Sequence, residues 1–210
     1  MFRKIARLVL ALSFAGAVVS NAQAVQEDTT HLKFKGIPIK GIAEQFRRDL
    51  KDKSFTQIGN SRSNILKGVF AGYEVISFLF TTPESKTVYA VYSYTMTKDS
   101  WFDVYDDFFV FKEHMSVVYG PCTHVEENGK SDYCLDPRYA KYNIVSPSTV
   151  SEEAANERFY LATWDTPKGF ISVMTNKAED GKGRLLISYV DKLGSQINER
   201  EKKQLIIRDL

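Results

Sequence analysis

The sequence predicts an α+β fold: a largely antiparallel sheet of two three-stranded meanders, with helices packed mainly on one face. Three observations predict it. Runs whose apolar residues alternate with period two fall into two groups of three. Runs with helical spacing lie before, between and after these groups. The connections inside each group are too short for a parallel crossover, so neighbouring strands must run antiparallel.

The elements follow in chain order. Residues 31–35 alternate Leu32 and Phe34 against His31, Lys33 and Lys35, as a half-buried strand does, and a turn follows at 36–38. Ile39, Ile42, Ala43, Phe46 and Leu50 recur at helical spacing, with Lys40, Glu44, Arg47, Arg48 and Lys51 on the other side. Residues 57–64 are polar and loop-like. Residues 66–70, 73–81 and 87–97 then read as three strands, separated by turn signals at Ala71-Gly72 and around Pro83.

Ser100 is placed to cap the next helix, whose apolar face is Trp101, Val104, Tyr105, Phe108, Phe111, Met115, Val118 and Tyr119. Gly120-Pro121 stops it. Asp103, Asp106 and Asp107 read as a solvated first turn, where the helix dipole favours acid.

Next comes a hairpin with a three-residue loop at Glu127, Asn128 and Gly129. Counting outward pairs Glu126 with Lys130 and ends on Cys122 opposite Cys134. A disulfide there would contribute about 3 kcal/mol. Residues 136–147 are irregular, and 148–157 carry a short helix capped by Ser151. Strands are predicted at 158–164, 170–176 and 184–190, and a polar helix at 195–207.

Residues 1–24 read as an export signal: Arg3, Lys4 and Arg7, an apolar run from Leu8 to Val19, and Ala22-Gln23-Ala24 as a cleavage site. The remaining 186 residues suit a single α+β domain over 25–210, with halves at about 31–120 and 148–207 that share no residue pattern. The expected location is periplasmic or extracellular. The apolar run is too short to span a bilayer, so no membrane insertion is expected after cleavage, and no cysteine follows the cleavage point to carry lipid. Without the signal, 25 basic residues face 26 acidic ones, and no Lys/Arg block tracks phosphates. Nucleic acid is therefore not an expected partner.

Three segments carry a family resemblance: His31-Leu32-Lys33-Phe34-Lys35-Gly36-Ile37-Pro38-Ile39, Leu66-Lys67-Gly68-Val69-Phe70-Ala71-Gly72-Tyr73, and Tyr189-Val190-Asp191-Lys192. Together they resemble exported proteins of unassigned function from gut Bacteroidetes. The resemblance implies fold and location and carries no catalytic residue across. Asp28-Thr29-Thr30 also resembles a site of O-linked glycan attachment in exported proteins of such bacteria.

Catalytic chemistry has no motif here. The three histidines, His31, His114 and His124, show no ligand spacing, and there is no nucleophile elbow, phosphate loop or calcium loop. No cofactor, metal or catalytic residue is predicted. The aromatic residues offer more. Tyr92 and Tyr94 share one face of their strand, as Tyr160 and Trp164 share one face of theirs. A set turned away from the helices would form a platform for a protein or a glycan. The sequence reading is thus a non-enzymatic binding module. Its alternatives are a hydrolase of envelope or dietary polymers using carboxylates assembled by the fold, and an interaction or inhibitor domain for another exported protein.

Overall fold

The structure, a computed structural model, describes residues 30–60, 62–127, 130–132, 159–178 and 180–209. The predicted export signal, the hairpin loop residues Asn128 and Gly129, Cys134, and the stretch 136–157 lie outside the described residues. The described chain is α+β, with one large antiparallel sheet and three helices. No helix among the described residues is long and apolar enough to cross a membrane.

The chain opens with a small hairpin, β1 (Lys33–Phe34) and β2 (Ile37–Pro38), paired through Phe34 and Ile37. Lys35 and Gly36 between them both have positive φ, at 54° and 80°, which is the two-residue turn whose twist matches antiparallel strands. Ile39 extends the pairing, its N–H donating to the Leu32 carbonyl, so helix α1 (Ala43–Lys51) starts four residues later than its apolar spacing suggests. Ala43, Phe46 and Leu50 form its buried stripe.

The main sheet holds β3 (Thr56–Ile58), β4 (Ile65–Phe70), β5 (Tyr73–Thr81), β6 (Val88–Thr95), β7 (His124–Glu127), β8 (Lys130–Asp132), β9 (Tyr160–Thr166), β10 (Gly169–Lys177) and β11 (Gly183–Asp191). Their order across the sheet is β3-β4-β5-β6-β11-β10-β9-β7-β8. The two predicted groups of strands meet where β6 pairs with β11, Tyr94 opposite Leu186 and Val91 opposite Tyr189. β3 adds an edge that the sequence reads as loop, because Thr56 and Gln57 give it almost no apolar signal.

The hairpin of β7 and β8 corrects one expectation. Glu127 pairs with Lys130 and Glu126 with Ser131, one position away from the predicted register. A two-residue connection replaces the predicted three, and a one-residue slip turns every side chain to the other face. The register that suggested a Cys122–Cys134 bridge is thus not the one seen between β7 and β8, and the bridge itself would involve Cys134, which lies outside the described residues. Cys122 is buried in the core, and no disulfide is seen among the described residues.

The sheet has an inner and an outer face. Helix α2 (Trp101–Tyr119) lies on the inner one, capped by the Ser100 hydroxyl, which accepts from the Phe102 N–H at 3.2 Å, and ended at Gly120 with φ 83°. Between α1, α2 and the sheet runs the aromatic core. Phe34 stacks on Phe70 at 5.2 Å and meets Tyr189 edge-on at 5.4 Å, while Tyr105 meets Tyr160 edge-on at 4.7 Å. Each such pair adds about 1 kcal/mol beyond the area it buries. Two glycines allow this packing: a Cβ on Gly68 would lie 2.5 Å from the Phe55 ring, and one on Gly183 would lie 2.6 Å from Val104.

Helix α3 (Lys192–Asp209) lies against the outer face, chiefly over β6, with Val190 and Phe170 lining a cleft beside it. It starts three residues before its predicted position because Asp191, the last residue of β11, caps it: Oδ2 accepts from the Gly194 N–H at 2.8 Å. Gly194 has no room for a Cβ, which would lie 2.8 Å from Tyr89 Cβ on β6. Asp191 is fully buried and also accepts from the Leu32 N–H at 2.8 Å and contacts His31 Nδ1 at 3.0 Å. Farther along, the Glu201 carboxylate accepts from the Glu84 and Ser85 N–H groups in the β5–β6 turn, and Arg208 pairs with Glu84.

Replacing Asp191 by Ala strands two buried backbone donors and is expected to destabilise the fold by about 3 kcal/mol in urea unfolding, with Asp191→Asn losing less because one acceptor oxygen remains. The Glu201 carboxyl titrates below its ordinary value, chiefly because the Ser85 hydroxyl donates to it and then because two backbone N–H groups do, against the opposing effect of burial. A lowered folded pKa contributes stability above the unfolded value and loses it as pH falls through the folded one. Thermal melts should therefore show Glu201→Gln less stable than the parent at about pH 7, with the gap closing below about pH 4.

Candidate functional site

The pleat sends alternate residues to opposite faces, and the strand pairing decides which of them meet. Tyr92 and Tyr94 project from β6 to the outer face and are half-buried. Tyr160 and Trp164 project from β9 to the inner face, where each is only 1% exposed. Trp164 Nε1 donates to the Gly120 carbonyl at 3.0 Å, closing the end of α2 onto the sheet, and Tyr160 packs among Tyr105, Phe108 and Phe109. The structure thus brings two of the four predicted aromatic residues together on an open face and places the other two in the core.

The outer face gains residues that no local pattern singles out. The register sets Phe78 of β5 opposite Tyr92, and Tyr94 between Ile76 of β5 and Leu186 of β11. Leu186 in turn faces Met174 of β10, and Met174 faces Leu161 of β9. The half-buried residues Ile76, Tyr94, Leu186, Met174 and Leu161 therefore form one apolar row across five adjacent strands. With strands about 4.8 Å apart, that row is about 19 Å long.

Four rings flank and interrupt it. Phe80, 39% exposed, lies 4.6 Å from Tyr92, and Phe78 meets Tyr94 edge-on at 5.8 Å. The Arg184 guanidinium lies 4.1 Å above the Tyr94 ring, held there by a 3.0 Å hydrogen bond from Nε to the Asn176 side-chain oxygen. Burial pushes the Tyr92 phenol above its ordinary pKa, helped by Tyr89 and Tyr94, so its hydroxyl remains a donor across the physiological range. The face offers apolar area, phenol hydroxyls and one oriented cation.

Ionisable residues gather at the foot of α2 and correct another expectation. Asp107 is not solvated: it is 8% exposed and pairs with Lys98 at 2.6 Å. The Tyr73 phenol is pushed up to about 12, first by burial and then by the charge and hydrogen bond of Asp107, with Asp106 adding to it. These contacts tie α2 to the ends of β5 and β6. Among the described residues no group of three or more His, Cys, Asp or Glu side chains is arranged to hold a metal ion. His31 is engaged by Asp191, His124 lies 4.0 Å from Glu126, and His114 is exposed on α2.

In comparisons with known proteins, no family model, no curated protein and no solved structure matches the chain.

The raised Tyr73 pKa fixes a pH window. Its stabilising contribution is complete below the ordinary phenol value of about 10 and is lost as pH rises through about 12. Absorbance titration at the phenolate band, wild type minus Tyr73→Phe, should show no ionisation of this phenol until the pH is above about 11. A difference signal centred on 10 would remove the proposed coupling to Asp107.

Proposed function

We propose that the chain is an exported, non-enzymatic binding module that docks a protein partner on the outer face of its sheet. In this reading the two three-stranded meanders join at β6 and β11 to make one rigid floor, and α3 covers only one end of it. The observation that carries the reading is the apolar row of Ile76, Tyr94, Leu186, Met174 and Leu161, flanked by Phe78, Phe80 and Tyr92. Contiguous apolar surface rich in aromatic residues, Met and Arg has the composition of the centre of a protein interface. A sugar ring would need a flat aromatic face to stack on. Arg184 already lies over Tyr94, and Phe78 meets that same ring edge-on, so a protein surface suits this face better than a glycan. Export follows from the reading of residues 1–24 and from the resemblance to exported Bacteroidetes proteins.

A photo-crosslinking amino acid placed at Phe80, and in a control at Val117 on α2, tests this in an envelope extract. A protein adduct is expected from position 80 only, and Tyr94→Ser should weaken it about thirtyfold, the scale of losing one central aromatic anchor. No adduct, equal adducts from both positions, or binding of a neutral glycan that Phe80→Ser abolishes would each overturn the reading.

A further inference from the structure

A second concave surface lies away from the outer face, where α1 crosses the β3 edge of the sheet and the β5–β6 turn. This cleft has a volume of about 990 Å³. Five cationic side chains line it: Arg47, Arg48 and Lys51 from α1, Arg62 from the β3–β4 loop, and Lys86 from the β5–β6 turn. Among the lining residues the only carboxylate is Glu44, and it is committed to Arg48 at 2.6 Å. The whole chain has a net charge of only +2, so an excess of four positive charges around one cavity is a local concentration and does not follow from composition.

The cleft is also built. Among the described residues Arg47 is anchored through Nη1, which donates to the Asn64 side-chain oxygen at 2.7 Å and to the Ser63 carbonyl at 3.4 Å. That positions the guanidinium while its other N–H donors remain for a ligand. Gln57 Nε2 donates to the Asn60 and Ser63 carbonyls at 2.8 Å, shaping the loop that presents Arg62. Thr56, Thr81 and Leu66 also line the cleft. Like charges are held near one another on α1, on a loop and on a turn, three segments distant in sequence. Their mutual repulsion is relieved by a ligand of opposite sign.

The geometry points to an anionic oligosaccharide as the occupant of this cleft: a sugar chain whose carboxylate or sulfate groups meet Arg47, Arg62, Lys51 and Lys86, and whose hydroxyls meet Thr56, Thr81 and Gln57. The cavity far exceeds a single oxyanion, and its lining combines five cations with the hydroxyls of Thr56 and Thr81 and the amides of Gln57 and Asn64. It therefore suits a chain that carries both anionic groups and hydroxyls; a sugar polyanion does. The site is separate from the protein-docking face and does not depend on it.

The test titrates the full chain with three hexasaccharides at about 50 mM salt: heparin hexasaccharide for sulfate, hexagalacturonate for carboxylate alone, and maltohexaose as the neutral control. Calorimetry should detect at least one anionic chain and no maltohexaose. The variant Lys51→Gln/Arg62→Gln/Lys86→Gln should weaken that binding by at least about tenfold, since it removes three contacts of a charge-paired site. Lys192→Gln/Arg200→Gln/Lys203→Gln removes the same charge from α3 and should leave it within about twofold. Thermal melts confirm that both variants fold, and all three cleft replacements are at the surface. Binding of neither anionic chain, equal binding of maltohexaose, or equal losses in the two triple variants would overturn the site. Phe80→Ser, which disables the outer face, should leave the anionic titration unchanged, so failure of one site is read separately from failure of the other.

Discussion

The fold depends on one buried carboxylate. Asp191 ends β11, caps α3 through the Gly194 N–H, and anchors the N-terminal segment through the Leu32 N–H and His31 Nδ1. A carboxylate in a dry junction is stable only when every lone pair is met, and backbone donors meet it with groups that cannot rotate away. The end of β11, the start of α3 and an N-terminal segment about 160 residues away in sequence are thereby fixed to one point. The β1–β2 hairpin closes the inner core from that point, and α3 leaves it toward the outer face. Removing the side chain would loosen both layers together.

The attachment of α3 explains why so much of the outer face stays open. The helix is held by polar groups and close backbone approach: Gly194 against Tyr89, Glu201 on the β5–β6 turn, and Arg208 on Glu84. Its buried residues are Gly194, Asn198 and Glu201, none of which needs a greasy groove. A helix held by an apolar stripe would spread over the sheet to bury that stripe, covering Tyr92 and Tyr94. A helix pinned at points can sit at one end. The apolar row through Tyr94 and Leu186 is thus left beside α3 as a consequence of how α3 is fastened.

This mode of attachment also decided what was legible in the sequence. The bounds of helix α2 were legible because their signals are local, a serine cap, a long apolar period and Gly120 at its stop, although Asp107 is buried and Val118 of the predicted apolar face is exposed. The β4–β6 and β9–β11 strands were legible as elements for the same reason. Their junction was not, because the pairing of β6 with β11 joins residues almost a hundred apart and leaves no mark in either strand. The same gap governs the site. Alternation put Tyr92 with Tyr94 and Tyr160 with Trp164, yet only the position of α2 decides that the second pair is core. Phe78, Leu186 and Met174 carry no signal of their own and join the site through register alone. The β7–β8 hairpin shows the limit of local counting, since Asn128-Gly129 fits a two-residue connection as well as the tail of a three-residue one, and the choice reverses every face that follows.

Two surfaces of opposite physical character therefore share one scaffold. In the proposed reading, a partner on the outer face gains its free energy from removing apolar area from water, which salt does not screen. The cleft between α1 and the β3 edge gains its free energy from opposite charges, which salt weakens over distances of about 10 Å. Their separation is structural as well as chemical: the cleft rests on α1 and on Phe55 and Leu66 at the β3–β4 edge of the sheet, whereas the row crosses the outer face of β5, β6, β11, β10 and β9. The rigid sheet between them, with Gly68 leaving no space at the Phe55 ring, gives neither surface an obvious means of deforming the other. Ligands at the two sites should then bind additively, because coupling needs an element with two arrangements that both ligands bias differently, and a closely packed sheet held at Asp191 has a single arrangement.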